Sequence, residues 1–420
     1  MLPFKIGGFA NIIMETTSSG QLFQRLRKQG YHLVGKHSAV KACKWAGCAL
    51  RREGKCYKHA FYGIESHRCV QCTPALQFCT LSCRFCWRMM PEISKRVPYE
   101  PALICGTDAQ APMKPPDGLG RLEISPEEKW QKLPTDFEWD DAGTIIDGLL
   151  MGQKKLVSGF GAFADKKMFG EALAPRHAAI SLTGEPTIYP HLGELICEFH
   201  KREMTTFLVT NGTLPQQIRK LEAEKRLPTQ LYVSMVAPDE KTYLQTAQTE
   251  DKRLWKNYLE TLEILKGIGK CHRTALRMTL VKRLNAGTRN TQPETLTCWS
   301  ERSETALMAG APTPEPQDNS MKARVAPTCH RNCIDGYAKQ IELAKPWYVE
   351  VKSFVYVGGA RKEERGLCLN DMLMMEEVRE FAKLLAEKTG YIIAAEHAPS
   401  RVVLLCRNEN AAEGRIIKHA

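Results

Sequence analysis

The sequence predicts an α/β protein, a partial or full barrel of parallel strands and helices behind a basic, cysteine-rich leading segment. Two observations predict the barrel. From Asp136 onward short apolar runs alternate with amphipathic stretches of helical length. Strands joined by such helices pair in parallel with right-handed crossovers, because a tight turn cannot reach a parallel partner. A third observation predicts the leading segment. Eight of the 16 cysteines lie between Cys43 and Cys86, and between residues 21 and 60 ten Lys or Arg face the single acid Glu53.

The elements follow in order. With 420 residues, 43% hydrophobic and 25% charged, the chain can bury a sizeable core and has a globular composition. No run reaches the roughly 18 apolar residues of a membrane-spanning helix. "MLPFKIGGFANIIMETTSS" lacks the charged start and cleavage site of a secretion signal, so a cytoplasmic location and no membrane partner are expected. Met14 opens a stretch that reads better as a start, and residues 1–14 are expected to be an upstream extension. Residues 15–78 are basic, cysteine-rich and without clear periodicity, which predicts loops and short helices around metal. Residues 79–420 carry the barrel. Its strands are read in "HAAISLT", "TTFLVTNGT", "QLYVSMVAP", "RTALRMTLV", "WYVEVKSFVYVG" and "SRVVLLC". Its helices are read in "DDAGTIIDGLLMGQKKLVSGF", "HLGELICEFHKRE", "KRLWKNYLETLEILKGI", "DGYAKQIELAKP" and "MMEEVREFAKLLAEKTG". Two stretches break the rhythm: a proline-rich linker at about 91–135, and a Thr-, Pro- and Ser-rich insertion at about 286–334 that is expected to be mostly disordered.

Chemistry is concentrated in "FCTLSCRFCWR", where Cys79, Cys83 and Cys86 fall as Cys-x3-Cys-x2-Cys. Thiols in a chain without a secretion signal point to metal ligation before disulfides. Three thiolates from one loop can hold three irons of a [4Fe–4S] cube and leave the fourth iron open. A chelating amino acid moiety, such as that of S-adenosylmethionine, can fill the open position. Structural zinc is the competing reading, with Cys69 and Cys72 as a Cys-x2-Cys pair, but zinc prefers four ligands and leaves the one-loop triplet unaccounted for. The net charge of +12 favours a phosphate-backbone partner, against the plainer reading of a solvated basic surface.

"CTLSCRFC" resembles the radical S-adenosylmethionine superfamily. The longer "CYKHAFYGIESHRCVQCTPALQFCTLSCRFCWR" resembles the archaeal-type tRNA 4-demethylwyosine synthases, and the likeness resumes at "SLTGEPTIYP", "LVTNGT", "QLYVSM", "RMTLV", "VEVKSF" and "SRVVLL". The resemblance implies a radical-SAM barrel and two [4Fe–4S] clusters, the second on Cys43, Cys56 and Cys69, which have the family's x12, x12 spacing. Cys48 and Cys72 crowd those three and leave that assignment open by one cysteine. It also implies that Lys58 forms a Schiff base with pyruvate. Thr183, Gly184 and Glu185 are implied to lie at the methionine end of S-adenosylmethionine, with Asn211, Gly212 and Ser234 in the same role. The implied substrate is tRNA-Phe carrying 1-methylguanosine at position 37. A 5′-deoxyadenosyl radical would take hydrogen from the N1-methyl group, and the resulting methylene radical would attack the central carbon of pyruvate. Some relatives carry a flavodoxin-like domain, and nothing before Cys43 is long enough to be one, so an external donor of flavodoxin or ferredoxin type is implied. Val236 departs from the pattern, standing where an acid is expected. Two alternatives stay open on the residues: another radical SAM enzyme with an auxiliary cluster, and a non-catalytic, zinc-bearing RNA-binding protein.

Overall fold

The computed structural model describes residues 18–88, 137–287 and 328–417. Ten strands form one mixed sheet that does not close on itself, so the partial barrel is the form adopted. β1 (Tyr31–Val34) and β2 (Ser38–Lys41) make an antiparallel pair, and β2 runs antiparallel to β3 (Cys69–Thr73). From β3 the pairing is parallel through β4 (His177–Ile180), β5 (Thr205–Thr210), β6 (Gln230–Met235), β7 (Thr274–Met278) and β8 (Tyr348–Lys352). β9 (Ile392–His397) and β10 (Val402–Cys406) finish the sheet antiparallel, with β10 between β8 and β9.

Helices supply the crossovers. α1 (Ser18–Lys28), α2 (Lys44–Leu50) and α3 (Tyr57–Tyr62) belong to the leading segment. α4 (Ala142–Ser158), α5 (Lys166–Ala172), α6 (Leu192–Lys201), α7 (Pro215–Ala223), α8 (Glu240–Ala247) and α9 (Lys252–Ile268) lie between β3 and β7 in sequence. α10 (Thr328–Ala344), α11 (Met375–Thr389) and α12 (Glu409–Glu413) complete the set. Local chemistry fixes their ends: Asp141 caps α4 through the Thr144 amide, Asp251 caps α9 through the Arg253 amide, and Gly390 at φ 73° ends α11.

Strand alternation divides the core in two. Leu208, Val233, Leu276, Val349 and Val403 pack with the long helices in the larger cluster. The residues between them, Phe207, Tyr232, Ala275, Tyr348 and Val402, point the other way and pack against Tyr57, Phe61 and Tyr62 of α3. The leading segment therefore covers the second face of the sheet.

Two expectations are corrected. Residues 15–78 contain three strands as well as short helices, and β3 holds the first position in the parallel array. β1 and β2 have four residues each, too few for alternation to be read. The insertion expected to end at 334 ends earlier in practice, since residues 328–334 already belong to α10. The rest of it from 288 to 327, the 91–135 linker and the 1–14 extension lie outside the described residues. Among the described residues, no helix is long and apolar enough to cross a membrane.

Candidate active site

The Cys79, Cys83 and Cys86 loop leaves the C-terminal end of β3, where barrel-type sheets build their sites. It is held by backbone contacts from several elements. The Glu185 amide donates to the Phe78 carbonyl at 2.7 Å, the Ser82 amide to the Ala247 carbonyl at 3.0 Å, and the Arg84 amide to the Thr246 carbonyl at 2.9 Å. Arg365 donates to the Ser82 and Cys83 carbonyls at 2.5 and 3.2 Å. Gly184 has φ +74°, and a Cβ there would land on the carbonyl oxygen of Ala75, so only glycine fits. Burial pushes the Cys83 thiol up to about 12. Such a thiol keeps its proton until a metal replaces it.

The other sites named for the cofactor gather around this loop in different ways. Thr183 meets the Tyr31 hydroxyl at 3.1 Å, and its carbonyl accepts from Thr73 at 2.5 Å. Glu185 is buried, 2% exposed. One carboxylate oxygen accepts from the Thr187 amide and hydroxyl and the Thr210 hydroxyl, and the other from the Asn211 amide at 2.7 Å. That carboxylate ties the end of β4 to the end of β5. Asn211 donates to the Thr80 hydroxyl at 2.8 Å and reaches the Cys79 sulfur at 3.9 Å. Gly212 turns at φ +75° and its carbonyl accepts from Thr261. Ser234 stands apart on β6, in register with Arg277 of β7. Val236 is buried, and its carbonyl accepts from Asn285.

A second triplet is assembled from three elements. Cys43 precedes α2 and Cys56 precedes α3, each at an extended N-cap, and Cys69 opens β3. Burial raises the Cys56 thiol to about 11 and Cys69 to about 12, with the charge of Cys43 adding to both and that of Cys56 adding to Cys69. Cys72 feels only Cys69, and Cys48 lies inside α2. Cys56 and Cys69 thus lie on one face, within reach of the charge of Cys43, whereas Cys72 packs into the larger cluster on the other. A tetrahedral zinc would need sulfurs about 3.8 Å apart. Among the described residues the one group of ligand atoms within 4.8 Å of one another is Glu65, His67 and Glu171, which contains no cysteine. Each triplet offers three thiols where a structural zinc takes four ligands, a donor set that fits three irons of a cluster. Arg88 lies between them: it bonds the Tyr31 hydroxyl at 3.2 Å and feels both Cys86 and Cys43.

Lys58 sits in the first turn of α3, 8% exposed. Its amine lies 4.8 Å from the Phe207 ring centre and 4.9 Å from that of Tyr232. Burial lowers its pKa below the ordinary lysine value, with Glu350 as the main opposing influence. Glu350, fully buried on β8, accepts from the Tyr57 and Tyr62 hydroxyls at 3.0 Å each. Arg277 faces it at 3.8 Å, and Lys352 follows two residues on, its pKa lowered to about 8 mainly by burial. Sequence reading missed Tyr57, Arg277, Glu350 and Lys352. Their signal was available, since "LRM" and "VEVK" place charges inside otherwise apolar strands.

An open α/β sheet whose first parallel strand runs into a three-cysteine loop, with Asn211 and Glu185 packed at the neighbouring strand ends, defines a radical SAM protein. The family models agree: Radical SAM superfamily matches residues 166–291, and Wyosine base formation matches residues 343–407. The chain is 36% identical to the S-adenosyl-L-methionine-dependent tRNA 4-demethylwyosine synthase of Pyrococcus horikoshii, covering 95% of this chain and 94% of that one. It is 32% identical to the enzyme of the same name from Methanocaldococcus jannaschii, over 93% and 96%. A solved structure of TYW1 with a lysine–pyruvate adduct bound is similar at TM-score 0.64 and 30% identity, covering 92% of this chain and 95% of that one. A crystal structure of archaeal TYW1 is similar at TM-score 0.58 and 28% identity, over 94% and 97%. The chain belongs to the tRNA 4-demethylwyosine synthases, radical SAM enzymes of wyosine biosynthesis.

Proposed function

We propose that this enzyme joins the N1-methyl group of 1-methylguanosine-37 in tRNA-Phe to pyruvate held as an imine on Lys58. The observation that carries the reading is the setting of Lys58: a buried amine between two aromatic faces, two residues after Cys56 and on the same sheet face as Glu350. A desolvated amine attacks a ketone readily; the carbon–nitrogen bond forms, and the carbonyl oxygen leaves as water. The similarity to a structure with a lysine–pyruvate adduct supports the same assignment.

Cys79, Cys83 and Cys86 would hold the [4Fe–4S] cluster that supplies reductive cleavage of S-adenosylmethionine when bound. Cys43, Cys56 and Cys69 would hold a second. Thr183, Gly184, Glu185, Asn211, Gly212 and Ser234 are assigned to the cofactor's side of the cavity. Asn211 reaches the loop directly, and Glu185 keeps Asn211 in place. Electrons would come from an external flavodoxin- or ferredoxin-type donor. The base must leave its stack to reach this site. Exposed Arg25, Arg27 and Lys28 at the C-terminal end of α1, with Lys44 and Lys55, offer phosphate contacts while it does.

The test uses the reconstituted enzyme without oxygen, with methylated tRNA, pyruvate and S-adenosylmethionine. Mass spectrometry is expected to find a base enlarged by a two-carbon unit. Lys58→Arg keeps the charge but loses the condensing amine. It is expected to cleave S-adenosylmethionine and bind tRNA normally while making no product. Normal product from that variant refutes the assignment.

A further inference from the structure

The inner face of the sheet holds a donor that its own surroundings do not use. Ser234, Arg277 and Glu350 are register partners across β6, β7 and β8, and Lys352 lies two residues beyond Glu350 on the same face. Lys58 reaches this row from α3, its amine 4.9 Å from the ring of Tyr232, two residues before Ser234 on β6. Three cations, Lys58, Arg277 and Lys352, therefore share this face of the sheet with one carboxylate.

That carboxylate is already engaged, because its two oxygens accept from the hydroxyls of Tyr57 and Tyr62. Arg277 stays 3.8 Å from it, beyond hydrogen-bond range. Its Nε is buried without a partner, and no hydrogen bond from its guanidinium occurs among the described residues. Lys352 spends one donor on the Ser400 carbonyl at 3.2 Å, its one hydrogen bond among the described residues. Buried polar groups in native proteins are paired, so the unpartnered Nε of this planar fork marks the place of a missing acceptor. The acceptor that matches two parallel N–H groups is a carboxylate or a phosphate. The Lys58 amine faces the Phe207 and Tyr232 rings, flat apolar surfaces that suit a small planar carboxylate.

We propose that Arg277, assisted by Lys352, forms a carboxylate-binding subsite that receives the acid end of a 2-oxo acid whose carbonyl carbon condenses with Lys58. The inference rests on the Lys58 reading and adds to it the reason that a 2-oxo acid is taken and a neutral ketone refused. The carboxylate lies one bond from the carbon that forms the imine, so amine and fork grip the substrate from two sides. Glu350 acts as a positioning residue, holding Arg277 through charge and α3 through Tyr57 and Tyr62.

The test traps the imine on the anaerobic holoenzyme with cyanoborohydride, comparing pyruvate with pyruvamide, its neutral amide, and maps the modified lysine by peptide mass. In the wild type, pyruvate is expected to label Lys58 at far lower concentration than pyruvamide. In Arg277→Gln the pyruvate half-point is expected to rise about 10- to 150-fold, the span of one to two lost charge-assisted hydrogen bonds. The pyruvamide half-point should not move. Arg277→Lys keeps the charge without the fork and should fall between, and Lys352→Met should shift pyruvate alone, by less. These two carry the test if Arg277→Gln does not fold. A wild-type adduct on Lys352, or none at all, sinks the Lys58 reading and the inference with it. An adduct on Lys58 whose concentration dependence is unchanged in all three variants sinks the inference alone.

Discussion

The two cysteine triplets solve one problem by opposite means. Cys79, Cys83 and Cys86 sit on one loop, and the protein's work is to fix that loop through main-chain contacts from the β4 turn, the end of α8 and Arg365. Cys43, Cys56 and Cys69 come from two helix starts and a strand, and their meeting depends on the whole second face of the sheet. A site on one loop is specified by spacing. A site gathered from three elements is specified by the fold.

The largest effects should come from cutting each triplet in turn. Cys83→Ala is expected to abolish cleavage of S-adenosylmethionine, whereas Cys56→Ala should retain cleavage, lose product, and fall from about eight irons to about four. Iron analysis beside a cleavage assay checks both, and equal loss of cleavage in the two variants would break the division of labour.

A smaller effect separates them through the backbone. Gly184→Ala drives a methyl into the Ala75 carbonyl beneath the one-loop triplet. It should cost about 3 kcal/mol of stability, read as a lowered melting temperature, and should weaken S-adenosylmethionine binding more than pyruvate trapping. The smallest effect sharpens the membership of the second triplet. Cys48 is buried within α2, so Cys48→Ala should leave the iron content unchanged and shift stability by about 1 kcal/mol or less. Iron falling by half would make Cys48 a ligand.

The same contrast governs what could be read in advance. α9 was legible residue for residue because Asp251 caps it and its apolar positions recur at helical spacing. The parallel strands were legible because their short apolar runs are bounded by turns. β1, β2 and β3 were not, since four or five residues interrupted by lysine, serine and cysteine carry no period. Arg277, Glu350 and Lys352 were passed over for a related reason. A charge within a strand is a flaw in an apolar pattern, and its purpose becomes visible only when Tyr57, Tyr62 and Lys58 arrive from α3 to meet it. Local rules reach the first triplet and stop short of the second.

The hydrogen bond from Tyr57 to Glu350 joins positions 293 residues apart. At ribosomal speeds of about 5–20 residues per second, roughly 15 to 60 s pass between the synthesis of one end and the other. Until β8 is made, the Tyr57 and Tyr62 hydroxyls of α3 lack the Glu350 carboxylate they later share. The seat of the leading segment on the sheet is therefore completed only when the last parallel strand has been made.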